Sequence, residues 1–342
     1  MKQYNTAQMQ KRSQLLLRQW AAILAVAALF AAFNFSMYQV LTRRLAGNFD
    51  GTFQARMIDL ESYLPHQEET KLPETHTSLT LTGDLPVLDG ATALVPVYAA
   101  VIHNLYPEGC VTFEGGTFSD DNSTGENFAA DSVMQYKNTV RGYKAVVDGE
   151  TDVFFGAGPS KEQEAYAKEQ GVTLVYVPIG LEAFVFFVNE KNPVDGLTSD
   201  QIRKIYSGEY TNWSDVGGAN RTINPVSRLA GSGSQTSFLK FMGDTPVGGK
   251  SLFALTGGAI GFSFRYYMEG IVENEAVKII SLDGVYPSAD HIRDRSYPLV
   301  SSFYAIYRED NSNENISVLI SWLLSEEGQR LVEESGYVRV VE

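Results

Sequence analysis

The stretch "VSRLAGSGSQTSFLKFMG", residues 226–243, sets Arg228 and then Gly231, Ser232, Gly233 and Ser234 ahead of an amphipathic run. Almost nothing apolar lies in the turn itself, so it is not built to pack a core. Glycines let backbone amides come close to a ligand. The helix that follows directs unpaired N–H groups and a partial positive charge into the loop. Ser232 and Ser234 add hydroxyl donors, and Arg228 can grip an oxyanion with two nitrogens. "DGATA", residues 89–93, has the same logic, with Thr92 and the amides of Ala93 and Leu94 facing out from a helix start. A single glycine-serine turn is explained by helix capping alone. Two such starts in one chain, one beside an arginine, point to an anion site.

Composition narrows the classes. Lys and Arg number 27 against 41 Asp and Glu, a net charge of -14. That balance argues against nucleic acid, which needs a basic face, and is compatible with a small anion in a local cage. Cys110 is the single cysteine, so no internal disulfide forms. The histidines, His66, His76, His103 and His291, show no metal-ligand spacing. No metal, no cofactor and no catalytic residue is expected.

The elements that position the two turns follow from periodicity. "TDVFFGAG", "VTLVYVPIG", "EAFVFFVN" and "YPLVSSFYAIY" read as strands. "ATALVPVYAAVIHNLYP", "PSKEQEAYAKEQG", "TSDQIRKIYSG" and "ISVLISWLLSEEGQRLVEESG" read as helices, with Ser/Thr starts and Gly stops. Alternation of this kind predicts an α/β fold with largely parallel sheets. Ligands in such sheets sit where strand ends lead into helices.

The N-terminus differs in kind. Residues 20–40, "WAAILAVAALFAAFNFSMYQV", contain no charge and are long enough to cross a bilayer. Basic residues precede and follow the run, with the excess on the N-terminal side. The reading is a cytoplasmic segment over 1–18, a single-pass transmembrane anchor over 19–40 and a stalk over 41–83. A cleaved signal peptide is the rival reading, disfavoured by the length of the apolar run and the lack of a small-x-small site.

From about Leu85 to Tyr337 the chain resembles the phosphate-binding proteins of ABC transporters, of the two-lobed type II periplasmic binding-protein superfamily. The stretches that carry the likeness are "LDGATALVPVYAA", "RGYKAVVDGETDVFFGAGPS", "NPVDGLTSDQIRKIYSGEYTNWSDVGG", "SRLAGSGSQTSF", "GAIGFSF" and "YPSADHIRDRSYPL". The resemblance implies one lobe from 84–178 plus 297–342, a second from 179–296, and two hinge crossings. It implies that Thr92 and the Ala93 amide contact the ligand, and that Thr139 stands where the family has a serine. Arg228, Ser232, Gly233 and Ser234 match its Arg-x-x-Gly-Ser-Gly-Thr motif, with serine for the last threonine. The chain departs from the family at an aspartate that accepts from protonated phosphate, where it has Ala157 and Gly158. It also carries Arg141 in the altered turn "NTVRGY", and Glu182 is the substitute acceptor considered.

The expected function is capture of phosphate or a related oxyanion for an ABC transporter permease on the extracytoplasmic side. A ligand-sensing or structural ectodomain is the alternative that the missing aspartate suits. A hydrolase with Ser232 as nucleophile would need His103 or His291 as base, and the turn does not spell G-x-S-x-G.

Overall fold

The computed structural model describes residues 19–20, 30, 33–34, 58–115, 127–228, 232–248, 258–272 and 276–340. The chain divides into two compact units, Met1–Gly51 and Thr52–Glu342. In the first, Trp20, Phe30, Phe33 and Asn34 are helical and exposed. Most of the anchor expected over 19–40 lies outside the described residues. Among those described, no helix is long and apolar enough to cross a membrane.

The second unit is a mixed α/β fold on one continuous sheet. Its strands are β1 (Leu88–Gly90), β2 (Val153–Ala157), β3 (Leu174–Asn189), β4 (Gly196–Leu197), β5 (Asn224–Pro225), β6 (Ala259–Phe264), β7 (Val277–Ile279), β8 (Ser281–Leu282) and β9 (Val300–Arg308). The order is β1-β2-β9-β3-β6-β5, with β7 also on β3 and a separate β4-β8 pair. The "VTLVYVPIG" and "EAFVFFVN" runs are one strand. Leu174–Ala183 of β3 pairs with β9, and Phe184–Val188 pairs with β6. The register shifts between Pro178 and Gly180. Pro178 has no N–H to give a ladder, and a Cβ at Gly180 would overlap the Phe303 ring.

That crossing corrects the expectation of largely parallel sheets. β1-β2, β5-β6 and β4-β8 are parallel, but every pairing of β3 and β9 is antiparallel. A long strand shared by two halves runs against the strands it enters between.

The helices are α1 (Val95–Leu105), α2 (Asn138–Asp148), α3 (Lys161–Glu169), α4 (Ser199–Ser207), α5 (Gly233–Met242), α6 (Ala289–Arg293), α7 (Glu314–Leu323) and α8 (Glu326–Glu334). Ser160 with Gln163, and Thr198 with Gln201, close reciprocal capping boxes at α3 and α4. Gly208 ends α4 in the left-handed conformation. The C-terminal run expected as one helix is two. Ser325 caps α8 through the Gly328 amide, and a Cβ at Gly328 would overlap the Trp322 carbonyl.

Residues 58–83 are not a stalk. Leu60, Tyr63, Leu72 and Leu81 are buried in the core that α1, α7 and α8 build. Leu81 N–H donates to the Leu105 carbonyl at 2.7 Å. Thr75 N–H donates to Asn104 Oδ1 at 2.7 Å, and Trp322 Nε1 to Thr77 Oγ1 at 3.1 Å. The stretch is rich in charge and threonine, but its leucines recur on the side that meets α1. Leu81→Ala should therefore lower the unfolding free energy by about 2–5 kcal/mol in urea denaturation. A loose stalk would give a change near zero.

Candidate functional site

β1 ends at Gly90 and the chain turns into a short 3-10 helix, Thr92–Leu94, that leads into α1. The Ala91 amide donates to the Phe155 carbonyl, fixing the turn against β2. The first amides of such a turn, those of Thr92 and Ala93, have no acceptor within the helix. Leu94 is different. Its amide donates to the Ala91 carbonyl at 2.8 Å and its side chain is in the core. Leu94 is thereby corrected from ligand contact to packing residue, because the tight turn uses its N–H internally.

The Thr92 hydroxyl lies 2.6 Å from the Tyr136 hydroxyl and 3.4 Å from Asn138 Oδ1. Asn138, at φ 61, opens α2, so "NTVRGY" is a helical first turn. Thr139 gives its amide to Asn138 Oδ1 at 2.6 Å. Arg141 follows in that turn, and its charge acts on both Asp89 and Tyr136.

Farther along the chain, Ser232 is the N-cap of α5, with its Oγ accepting from the Gln235 amide at 3.2 Å. Gly233 and Ser234 open the helix, where amides lack intrahelical acceptors. Gln235 Oε1 accepts from the Arg228 amide at 2.8 Å, tying the arginine to the helix start. The Arg228 guanidinium lies 5.7 Å from the Tyr267 ring centre and hydrogen-bonds that side chain. Loss of water lowers the Arg228 pKa, and the tyrosine opposes this. Burial pushes Tyr267 up to about 12, with Arg228 pulling it down. Residues 229–231 lie outside the described residues.

The start of α5 lies against the end of β2. A Cβ on Gly233 would sit 3.9 Å from the Ala157 Cβ at the end of β2. Lys240 of α5 donates Nζ to the Pro159 carbonyl at 3.2 Å. Burial raises the Tyr136 pKa, the Thr92 hydroxyl opposes this, and Tyr267 adds a smaller raising effect. Thr92, Tyr136 and Arg141 thus cluster at the starts of α1 and α2, and Arg228 and Tyr267 gather beside the start of α5. The sequence reading missed Tyr136, Asn138, Gln235 and Tyr267, which carry no motif and are recruited by the fold.

Two buried carboxylates lie near. Glu182 is not a cleft acceptor. Its Oε1 accepts from the Ala183 amide at 2.8 Å, and its Oε2 from the Tyr266 amide at 3.3 Å, at the crossing between the lobes. Burial pushes it up to about 7, with Arg265 and these amides opposing. Asp89, in β1, is fully buried. Its Oδ1 accepts from the Gly90 and Lys137 amides at 2.7 and 3.0 Å. Its Oδ2 has no hydrogen-bond partner among the described residues and lies under Gly142 of α2, where a Cβ would come within 3.2 Å. Burial pushes Asp89 up to about 6, against the pull of those amides, Lys137 and Arg141. An ionisable residue between Leu88 and Gly90 in a buried strand was a legible signal in "LDGATA".

Comparison with known proteins gives the family and the fold. A family model described as a PBP superfamily domain matches residues 124–327. The phosphate-binding protein PstS of Bacillus subtilis is 28% identical over 211 residues, 58% of this chain and 66% of that protein, just under two thirds of its length. Protein SphX of Synechococcus elongatus is 25% identical over 74% of this chain and 86% of its own. The crystal structure of a Clostridium perfringens protein with bound phosphate shares the fold, with a TM-score of 0.54 at 24% identity, covering 74% of this chain and 98% of that one.

Asp89 carries a prediction with a defined sign. Its folded pKa, about 6, lies above its ordinary 3.8, so the folded state holds the proton more tightly. The stability this gives is complete below about pH 4 and is lost as pH rises through about 6. The rise corresponds to roughly 3 kcal/mol of cost for the ionised form. Asp89→Asn should raise the urea midpoint at pH 8 and leave it nearly unchanged at pH 4. A variant less stable than the parent at pH 8 would mean that Arg141 and Lys137 hold the charged form.

Proposed function

We propose, from the premise that this chain belongs to the PBP superfamily whose family model matches more than half of it, that it captures phosphate between its two lobes for an ABC transporter permease. What supports the reading is that two helix starts and a guanidinium shielded from water belong to the same compact unit, with the α5 start against the end of β2. The amides of Thr92, Ala93, Gly233 and Ser234 are donors aimed by their helices. The Ser232 hydroxyl retains a proton to give, whereas the Thr92 hydroxyl, which donates to Asn138 Oδ1 at 3.4 Å, would turn its proton from Asn138 to the ion. Thr139 keeps its hydroxyl on the same first turn as Arg141, although its amide is committed to Asn138. Arg228 supplies full charge, held in place by Tyr267 and by its own amide on Gln235. Removing water from such donors strengthens each contact, and the lobes close over the ion by bending at the crossing.

The binding domain is read as extracytoplasmic, tethered by residues 19–40. The reaction class is binding without bond cleavage. His103 accepts from the His66 amide through Nδ1, His291 Nδ1 lies 2.7 Å from the Tyr286 carbonyl, and the Ser232 hydroxyl caps α5. These engagements support binding over a Ser-His hydrolase. A second reading, a sensing ectodomain that kept the fold, is favoured by one observation: Ala157, near the family's aspartate position, packs against Gly233 and offers no acceptor.

Titration calorimetry of the purified protein with phosphate and with sulfate tests the proposal. Phosphate should give heat that saturates at one ion per chain, and Arg228→Ala should weaken it at least about 100-fold, as loss of a buried charge partner does. Equal affinity in the parent and Arg228→Ala, or no heat with phosphate, removes the reading.

A further inference from the structure

The segment after α8, Gly336–Val338, runs back over the crossing between the lobes. Leu181 of β3 donates its amide to the Val338 carbonyl at 2.6 Å, and the Val338 amide returns to Leu181 at 3.3 Å. Gly336, at φ 91, lies under the Tyr266 ring, which a Cβ would overlap. From the second lobe, Arg265 at the end of β6 donates Nη2 to the Gly336 carbonyl at 3.0 Å. Its Nη1 pairs with Glu269 at 2.5 Å and its Nε lies 3.9 Å from Glu182 Oε1. Tyr337 is buried between the Tyr266 ring at 4.6 Å and the Phe303 ring at 4.8 Å. Its hydroxyl donates to the Ala93 carbonyl.

Three consecutive residues therefore touch the crossing strand, the second lobe and the helix start that faces the cleft. We infer that Gly336–Val338 is a closure strap: it holds the second lobe through Arg265 and passes that state to the Ala93 turn through the Tyr337 hydroxyl. Rotating the second lobe about β3 separates Arg265 from Gly336 and slides Tyr266 off Tyr337. The Arg265 side chain is largely shielded, at 13% exposure, so its bond to Gly336 resists that rotation by about the worth of one hydrogen bond and couples the strap to the lobe. The Ala93 carbonyl then loses or keeps its donor according to whether the cleft is shut, which makes Tyr337 a positioning residue for the ligand-facing amides. The ligand half of this inference rests on the phosphate reading; the hinge half does not.

The test uses the full chain with Cys110→Ser and labels at Ala165→Cys in the first lobe and Glu209→Cys in the second, both exposed positions. Interlobe distances are measured by electron-spin resonance without ligand and with inorganic phosphate. Arg265→Met should lower the closed population of the ligand-free protein about fivefold, the worth of a lost hydrogen bond. Tyr337→Phe should weaken phosphate binding about tenfold, through faster release. Should Arg265→Met fail to fold, Arg265→Lys takes its place. Parental distances in the arginine variant overturn the strap. Parental affinity in Tyr337→Phe overturns its link to Ala93. A parent that binds no phosphate, with Arg265→Met still opening the cleft, leaves the strap standing and removes the phosphate reading.

Discussion

A guanidinium deprived of water is the interaction around which this molecule is arranged. Arg228 is held at its backbone by Gln235 and at its charged end by Tyr267. Gln235 is itself fixed, since its amide is the one that Ser232 caps. The arginine's backbone, the cap and the helix start are thus linked through Gln235. The chain as a whole is acidic, so the positive potential of this corner is local. It comes from one side chain and from oriented backbone dipoles.

The opposite wall depends on how closely the lobes approach. A Cβ on Gly233 would come into ordinary contact with the Ala157 Cβ at the end of β2. Lys240 on the Pro159 carbonyl ties the outer side of the cleft, and Arg265 on the Gly336 carbonyl ties the crossing. β3 makes this geometry possible, since one strand serves β9 in its first half and β6 in its second. The register shift at Pro178–Gly180 falls in the half of β3 that pairs with β9.

The buried carboxylates show how a low dielectric is tolerated. Glu182 keeps both oxygens supplied by backbone amides beside Arg265. Asp89 has only one oxygen so supplied. Both titrate above the ordinary carboxylate range for the same reason, removal from water. Their roles differ by position, one at the crossing and one beneath the turn that opens α2.

Much of the site was legible in the residues because its determinants are local. A glycine-serine turn before an amphipathic run specifies a capped helix start wherever it occurs, and an arginine four residues before the cap stays near it. The strands and helices of the second unit were legible for the same reason, through periodicity and capping residues. Tertiary structure alone decided what lies across the cleft. Tyr136, Tyr267 and Ala157 come from distant parts of the chain, and no spacing records that they meet. It also decided that residues 58–83 pack on α1, that Leu94 faces inward and that Glu182 is committed at the crossing. Such choices depend on which neighbours desolvate a group, and neighbours are set by the fold.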